Sequence, residues 1–109
     1  ARVSGGTSPD AQREVTAELI IKMVSDQNGR TPLDISSQKR NKEIVYPRQI
    51  VMYLCRNMTD TPLQTIGRYL GGRDHTTIIH GSEKIAGDIK KDDTLKNTIE
   101  ILKKKINPQ

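Results

Sequence analysis

Leu63-Gln64-Thr65-Ile66-Gly67-Arg68-Tyr69-Leu70-Gly71-Gly72-Arg73-Asp74-His75-Thr76-Thr77-Ile78 is the stretch that decides the fold. Thr61-Pro62 opens a short helix in which Leu63, Ile66, Gly67 and Leu70 recur at helical spacing. Gly71-Gly72 ends it, since glycine supplies the backbone freedom that a tight turn needs. A new helix begins around Asp74, with Ile78, Ile85 and Ile89 as its buried edge and Ile79 and Ala86 beside it. Two helices joined by a tight glycine-containing turn are the physical content of a helix-turn-helix.

Upstream, Ile50, Val51, Leu54, Cys55 and Met58 form an apolar stripe at helical spacing, the strongest helix pattern in the chain. Tyr46-Pro47 precedes it, and Pro47 reads as its first helical residue. Ser36 to Lys42 has no periodicity and carries Lys39, Arg40 and Lys42 with no acid, so it reads as an exposed basic loop. A short turn from Thr31 to Ser36 comes before that loop, with Leu33 and Ile35 as its core anchors. The first helix carries Leu19, Ile20, Met23 and Val24 on one face, is capped by Asp10 or Ser8, and ends at Asn28-Gly29. Downstream, Asp92 or Asp93 starts a last helix with Leu95, Ile99, Leu102 and Ile106 inward. Its terminal Lys103-Lys104-Lys105 run suits the negative end of the helix dipole and reads as a solvated end. No strand-like alternation appears. The expected fold is all-α, with residues 1–13 as a tail or linker and residues 14–109 as one helix-turn-helix domain.

Composition sets the outer limits. The chain has 109 residues, enough for one modest core. Its only aromatics are three Tyr, so Leu, Ile, Val and Met must build that core. The formal net charge of +5 favours an anionic partner without naming it. The one cysteine, Cys55, lies in an apolar stripe and reads as a small buried hydrophobe rather than a nucleophile or ligand. No apolar run approaches the length of a membrane span, and no secretory leader opens the chain. A cytoplasmic, nucleoid-associated protein that does not bind membranes is the expectation.

The residues at the start of the second helix suit base reading. Asp74 can accept from a cytosine amino group, His75 and Thr76 offer mixed polar contacts, and a Thr methyl suits thymine. Arg73 and the free amides of the first helical turn suit phosphate. With the isoleucines inward, Thr76, His80, Glu83 and Lys84 point outward, while Asp74 and His75 would reach a base end-on. Spacing alone leaves a plainer alternative open, in which Asp74 only caps a helix and the glycines only end one. The basic loop is a separate signal, because a flexible arm bearing Arg can enter an adjacent A·T-rich minor groove.

The string GGRDHTTIIHGSEKI (71–85) resembles the C-terminal DNA-binding domain of the DnaA family of bacterial chromosomal replication initiators. PRQIVMYLCRNMTDTPLQTIG (47–67) is similar to that domain's central helix and first helix-turn-helix element, and the likeness runs from about Glu14 to Lys104. The resemblance implies a Trp-repressor-like helical arrangement that binds short double-stranded origin repeats. It places Arg40 in the minor groove and Asp74, His75 and Thr76 in the major groove, with Thr77 beside them. Leu63 and Gln64 match DNA-touching positions at the start of the first element, although the family more usually has Pro at the latter. Arg48, Gln49, Arg56 and Arg73 match backbone-contacting positions; Lys84 is a further phosphate candidate, and Lys39 and Lys42 lie beside Arg40 in the loop. The family's full-length members also carry an ATPase module and an N-terminal interaction module. This sequence has no Gly-x-x-x-x-Gly-Lys-Ser/Thr loop, so ATP is expected only in that other module and no cofactor is expected here. Binding by one monomer per site is expected, and such initiators can also regulate promoters.

Two rival classes account for less of the sequence. A nuclease or metal enzyme would draw on Asp74, His75 and His80, but histidines five apart stand about 140° apart on a helix and share no face. An enzyme and a metal site are therefore not expected. A protein-docking domain would use the lysine-rich end, but it gives no reason for Arg40 and the Asp74-His75-Thr76 run to occur together.

Overall fold

The computed structural model describes residues 14–108. Six helices follow in order: α1 (Ala17–Gln27), α2 (Pro32–Ser36), α3 (Lys42–Met58), α4 (Leu63–Tyr69), α5 (His75–Lys91) and α6 (Asp93–Ile106). No strand occurs among the described residues, and the all-α helix-turn-helix reading holds.

α3 and α5 form the central pair. α1 lies against α3 and α6, α2 docks on α3, and α4 packs on α5. Val51, Leu54 and Cys55 of α3 are fully buried against Ile78 and Ile85 of α5 in one apolar cluster. Ile99, Leu102 and Ile106 close it from α6, and Ile89 and Met58 flank it half-buried. Burial pushes the Cys55 thiol up to about 12, so it stays a neutral hydrophobe. Gly81 permits the close crossing: a Cβ there would lie 2.2 Å from the sulfur of Met52 on α3.

Local chemistry sets the helix ends. Thr16 caps α1 by accepting from the Leu19 amide at 3.1 Å. The expected caps Asp10 and Ser8 lie outside the described residues. Gly29 takes the left-handed conformation after α1 (φ 64°), whereas Asn28 stays at φ −99°. Thr31 and Asp34 form a reciprocal capping box around Pro32. Asp92 caps α6 through the Thr94 and Leu95 amides.

Two sequence-based expectations need correction here. Leu33 is 83% exposed, and Ile35 alone anchors α2. A five-residue helix can aim only one face at the core, and Leu33 stands about 200° around from Ile35. Pro47 is the sixth residue of α3, not its first. The helix extends upstream because Ile44 in its first turn is buried, while Pro47 leaves only the exposed Glu43 carbonyl without its helical donor.

Candidate nucleic-acid interface

The turn between α4 and α5 is built on close backbone approach. The Gly67 carbonyl accepts from the Gly72 amide at 2.9 Å and the Arg73 amide at 3.0 Å, which folds the turn back on α4. A Cβ on Gly67 would sit 2.0 Å from the Arg73 carbonyl oxygen, so only glycine fits. Gly71 and Gly72 both hold positive φ, 83° and 82°. This geometry starts a fresh helix at His75 with Asp74 as its cap.

Asp74 accepts from the Thr77 amide at 2.9 Å. That bond holds its carboxyl below the usual carboxylate value, so the cap is ionised at neutral pH. Capping and base reading are compatible, because one carboxylate oxygen bonds the amide and the group is exposed. His75, Thr76 and Thr77 are also exposed, as are His80, Glu83 and Lys84 further along. The His75 and Thr76 amides, first in the helix, have no intrahelical acceptor by helix geometry. The free end of α5 thus presents mixed donors and acceptors to solvent.

The basic loop lies against the turn that leads into α5. Ser36 closes α2 and Lys42 opens α3, so the irregular stretch is only Ser37 to Asn41. Ser36 Oγ donates to the Tyr69 carbonyl at 2.8 Å, and Gln38 Nε2 donates to the Gly71 carbonyl at 2.8 Å. Arg73 Nη2 donates to the Ser37 carbonyl at 3.0 Å, and its Nη1 donates to the Leu70 carbonyl. Arg40 is exposed, and its charge lies close enough to help lower the pKa of Arg73, after the larger effect of burial. The expected flexible arm is therefore a short bridge tied to the helix-turn-helix.

Arg48 departs most from expectation. It is only 3% exposed, and its Nε and Nη2 donate to the Ile35 carbonyl at 2.7 Å and the Ser37 carbonyl at 2.9 Å. Its guanidinium braces α2 and the loop from inside through Nε and Nη2, a role that the match to a backbone-contacting position did not include. Burial chiefly, then the nearby Arg73, lowers its pKa. Because Arg48 and Arg73 both donate to the Ser37 carbonyl, one backbone oxygen gathers two cations beside exposed Arg40.

The remaining candidates are held in different ways. Gln49 and Lys84 line a cleft between α3 and α5 with Arg73, Thr77 and His80. Lys84 pairs with Asp88 at 3.3 Å and lies 5.8 Å over the Tyr46 ring. Tyr46 in turn donates to Asp88 at 2.9 Å, and burial plus that carboxylate push its phenol up to about 12. Arg56 is exposed and donates to the Ser82 hydroxyl at 2.8 Å. Gln64 is exposed, whereas Leu63 is half-buried against the core. Lys39 pairs with Asp34 at 3.4 Å, and Lys42 is exposed at the start of α3. Sequence reasoning missed Ser36 and Gln38, whose side chains bond 33 residues away, and the Ser37 carbonyl, which accepts from Arg73; such long-range bonds leave no local pattern.

Among the described residues, no group of three or more His, Cys, Asp and Glu side chains is placed to hold a metal ion. No described helix is long and apolar enough to cross a membrane.

Comparison with known proteins agrees with this geometry. Residues 17–85 match the family model described as the bacterial dnaA protein helix-turn-helix. A chromosomal replication initiator protein DnaA of Lachnoclostridium phytofermentans is 50% identical over 101 residues, covering 93% of this chain. The chain spans 22% of the length of that relative. A matched segment that contains the whole α4–turn–α5 unit leaves one assignment: the chain belongs to the DnaA family, as its C-terminal helix-turn-helix domain.

Proposed function

We propose that the domain binds short double-stranded DNA repeats at a replication origin, as the sequence-reading part of a chromosomal replication initiator. In this reading the start of α5 enters the major groove, where Asp74, His75 and Thr76 meet base edges and Thr77 lies beside them. Arg40 enters the neighbouring minor groove, whose narrow A·T-rich stretches concentrate negative potential. Arg56, Arg73, Gln49, Lys84, Lys39 and Lys42 contact the sugar-phosphate backbone, with Leu63 and Gln64 at the edge of the α4 contact. One chain occupies each repeat. The rest of the initiator, including any ATP-binding module, acts on the DNA that this domain marks.

The single observation that carries the reading is the tie between Arg40's loop and the helix-turn-helix. Two chemically different readers, an exposed guanidinium and a polar helix end, flank one hydrogen-bonded turn. A protein-docking surface has no need of that pairing, whereas adjacent grooves of duplex DNA accommodate both readers at once. Selection from random duplexes at physiological salt tests the proposal. A single short motif with an A·T-rich flank should emerge, and a pool no different from its input would refute sequence-specific binding.

A further inference from the structure

The ties between the basic loop and the α4–α5 turn do more than close a gap in the fold. Arg40 lies two residues beyond Gln38 and two before Lys42, the first residue of α3. With about 3.6 Å of reach per residue, its Cα cannot stray more than about 7 Å from either anchor. The upstream anchor is tied to the α4–α5 connection at three points, Ser36 to Tyr69, Ser37 to Arg73, and Gln38 to Gly71, while Arg48 of α3 braces Ser37 from the other side. Gly71 is shaped for this approach. A Cβ there would lie 2.5 Å from the Ser36 carbonyl oxygen and 2.9 Å from Gln38 Nε2.

From this arrangement we infer that Gln38, with Ser36 in support, is a positioning residue that sets the distance between the minor-groove and major-groove readers. Gln38 holds Arg40 at a fixed offset from the start of α5 before DNA arrives. A loop already ordered avoids the conformational entropy that a free arm would lose on binding. Gln38 need not touch DNA to do this. Its Nε2 bonds the backbone of Gly71, whose position also determines where Asp74 and His75 begin. The inference rests on the proposed two-groove reading, so its test must separate the two.

Binding constants of the wild-type chain, Gln38→Ala, Arg40→Ala and the double variant would be measured on the selected site. Each would be tested with an A·T-rich and a G·C-rich flank, and each melting temperature recorded. Gln38→Ala should weaken binding to the A·T-flanked site by roughly 3- to 10-fold and shrink the preference for that flank, with melting almost unchanged because Gln38 is exposed. In the Arg40→Ala background, the same substitution should add less than about twofold, because a positioning residue has nothing left to position. Ser36→Ala, which removes the independent tie to Tyr69, should give the same pattern at smaller size.

Three results would overturn the inference, and they are distinguishable. If Arg40→Ala weakens binding and Gln38→Ala does not, the minor-groove reading stands and the positioning role is wrong. If the two losses multiply in the double variant, Gln38 acts by a route other than Arg40. If Arg40→Ala itself binds both flanks as well as wild type, the two-groove reading fails and this inference falls with it.

Discussion

Asp74 combines two duties that a single substitution would confuse. It caps α5 through the Thr77 amide, and it stands exposed at the helix end with His75 and Thr76. Asn caps helices about as well as Asp, so Asp74→Asn should keep the fold and its melting temperature while replacing the pure acceptor by a mixed group. Asp74→Ala should lower both stability and specific binding. If Asp74→Asn binds as wild type and only the Ala variant fails, Asp74 is a cap alone. Among the described residues the exposed His75 side chain makes no hydrogen bond. His75→Ala should therefore cost about 1–3 kcal/mol on the selected site and little on random duplex, and equal losses on both would argue against base reading. The start of α5 at Asp74 was legible in the sequence because a helix start is a local event, read from a glycine pair, an acid and the polar residues after it. Arg48 was not legible in that way. The resemblance matches it to a backbone-contacting position, but three carbonyls supplied by α2 and the loop hold its Nε and Nη2 inward. Nothing near Arg48 in sequence announces those carbonyls.

At the level of elements, glycines with the same local appearance have opposite roles. Gly67 in α4 and Gly87 in α5 both lie within helices. A Cβ on Gly67 would strike the Arg73 carbonyl oxygen at 2.0 Å, and backbone cannot swing aside as a side chain can. Gly67→Ala should destabilise the domain by about 1–3 kcal/mol and loosen the turn that starts α5. A Cβ on Gly87 would meet nothing within 4 Å, so Gly87→Ala should stabilise by about 0.5–1 kcal/mol. Denaturant titration of both variants checks the signs, and a stabilised Gly67→Ala would show that the turn is not packed as described. The stripes of α3, α5 and α6 were readable because each buries a continuous face, and a periodic pattern follows directly. The ends of short elements were harder. α2 has one inward residue, so Leu33 looked apolar enough for the core yet faces solvent. α3 begins ahead of Pro47 because the buried Ile44 outweighs the proline's usual place at a helix start.

The whole molecule determines how much of its charge can reach a polyanion. Of 18 Lys and Arg residues against 13 Asp and Glu, those on the proposed face are held in different states. Arg48 is buried, Lys39 and Lys84 are paired with Asp34 and Asp88, and Arg73 is half-buried on two carbonyls. Arg40, Lys42 and Arg56 are exposed. The exposed ion pairs contribute little to stability, so phosphates can displace Asp34 and Asp88 at small cost. If Arg40 sits in the minor groove, Lys39, Lys42, Arg56, Arg73 and Lys84 are left for phosphates. Each neutralised phosphate contributes about −0.9 to the slope of log K against log salt, which puts the limit for five near −4.5. Incomplete engagement of the paired lysines should bring the measured slope to about −3 to −4.5. Arg56→Ala should flatten it by about one unit and weaken specific and random duplexes alike. His75→Ala, which removes no phosphate contact, should leave the slope unchanged while lowering specific affinity. Titrations between about 50 and 200 mM salt distinguish these behaviours. A wild-type slope near zero would mean that the +5 charge serves some other partner, because no docking on duplex DNA avoids releasing its counterions.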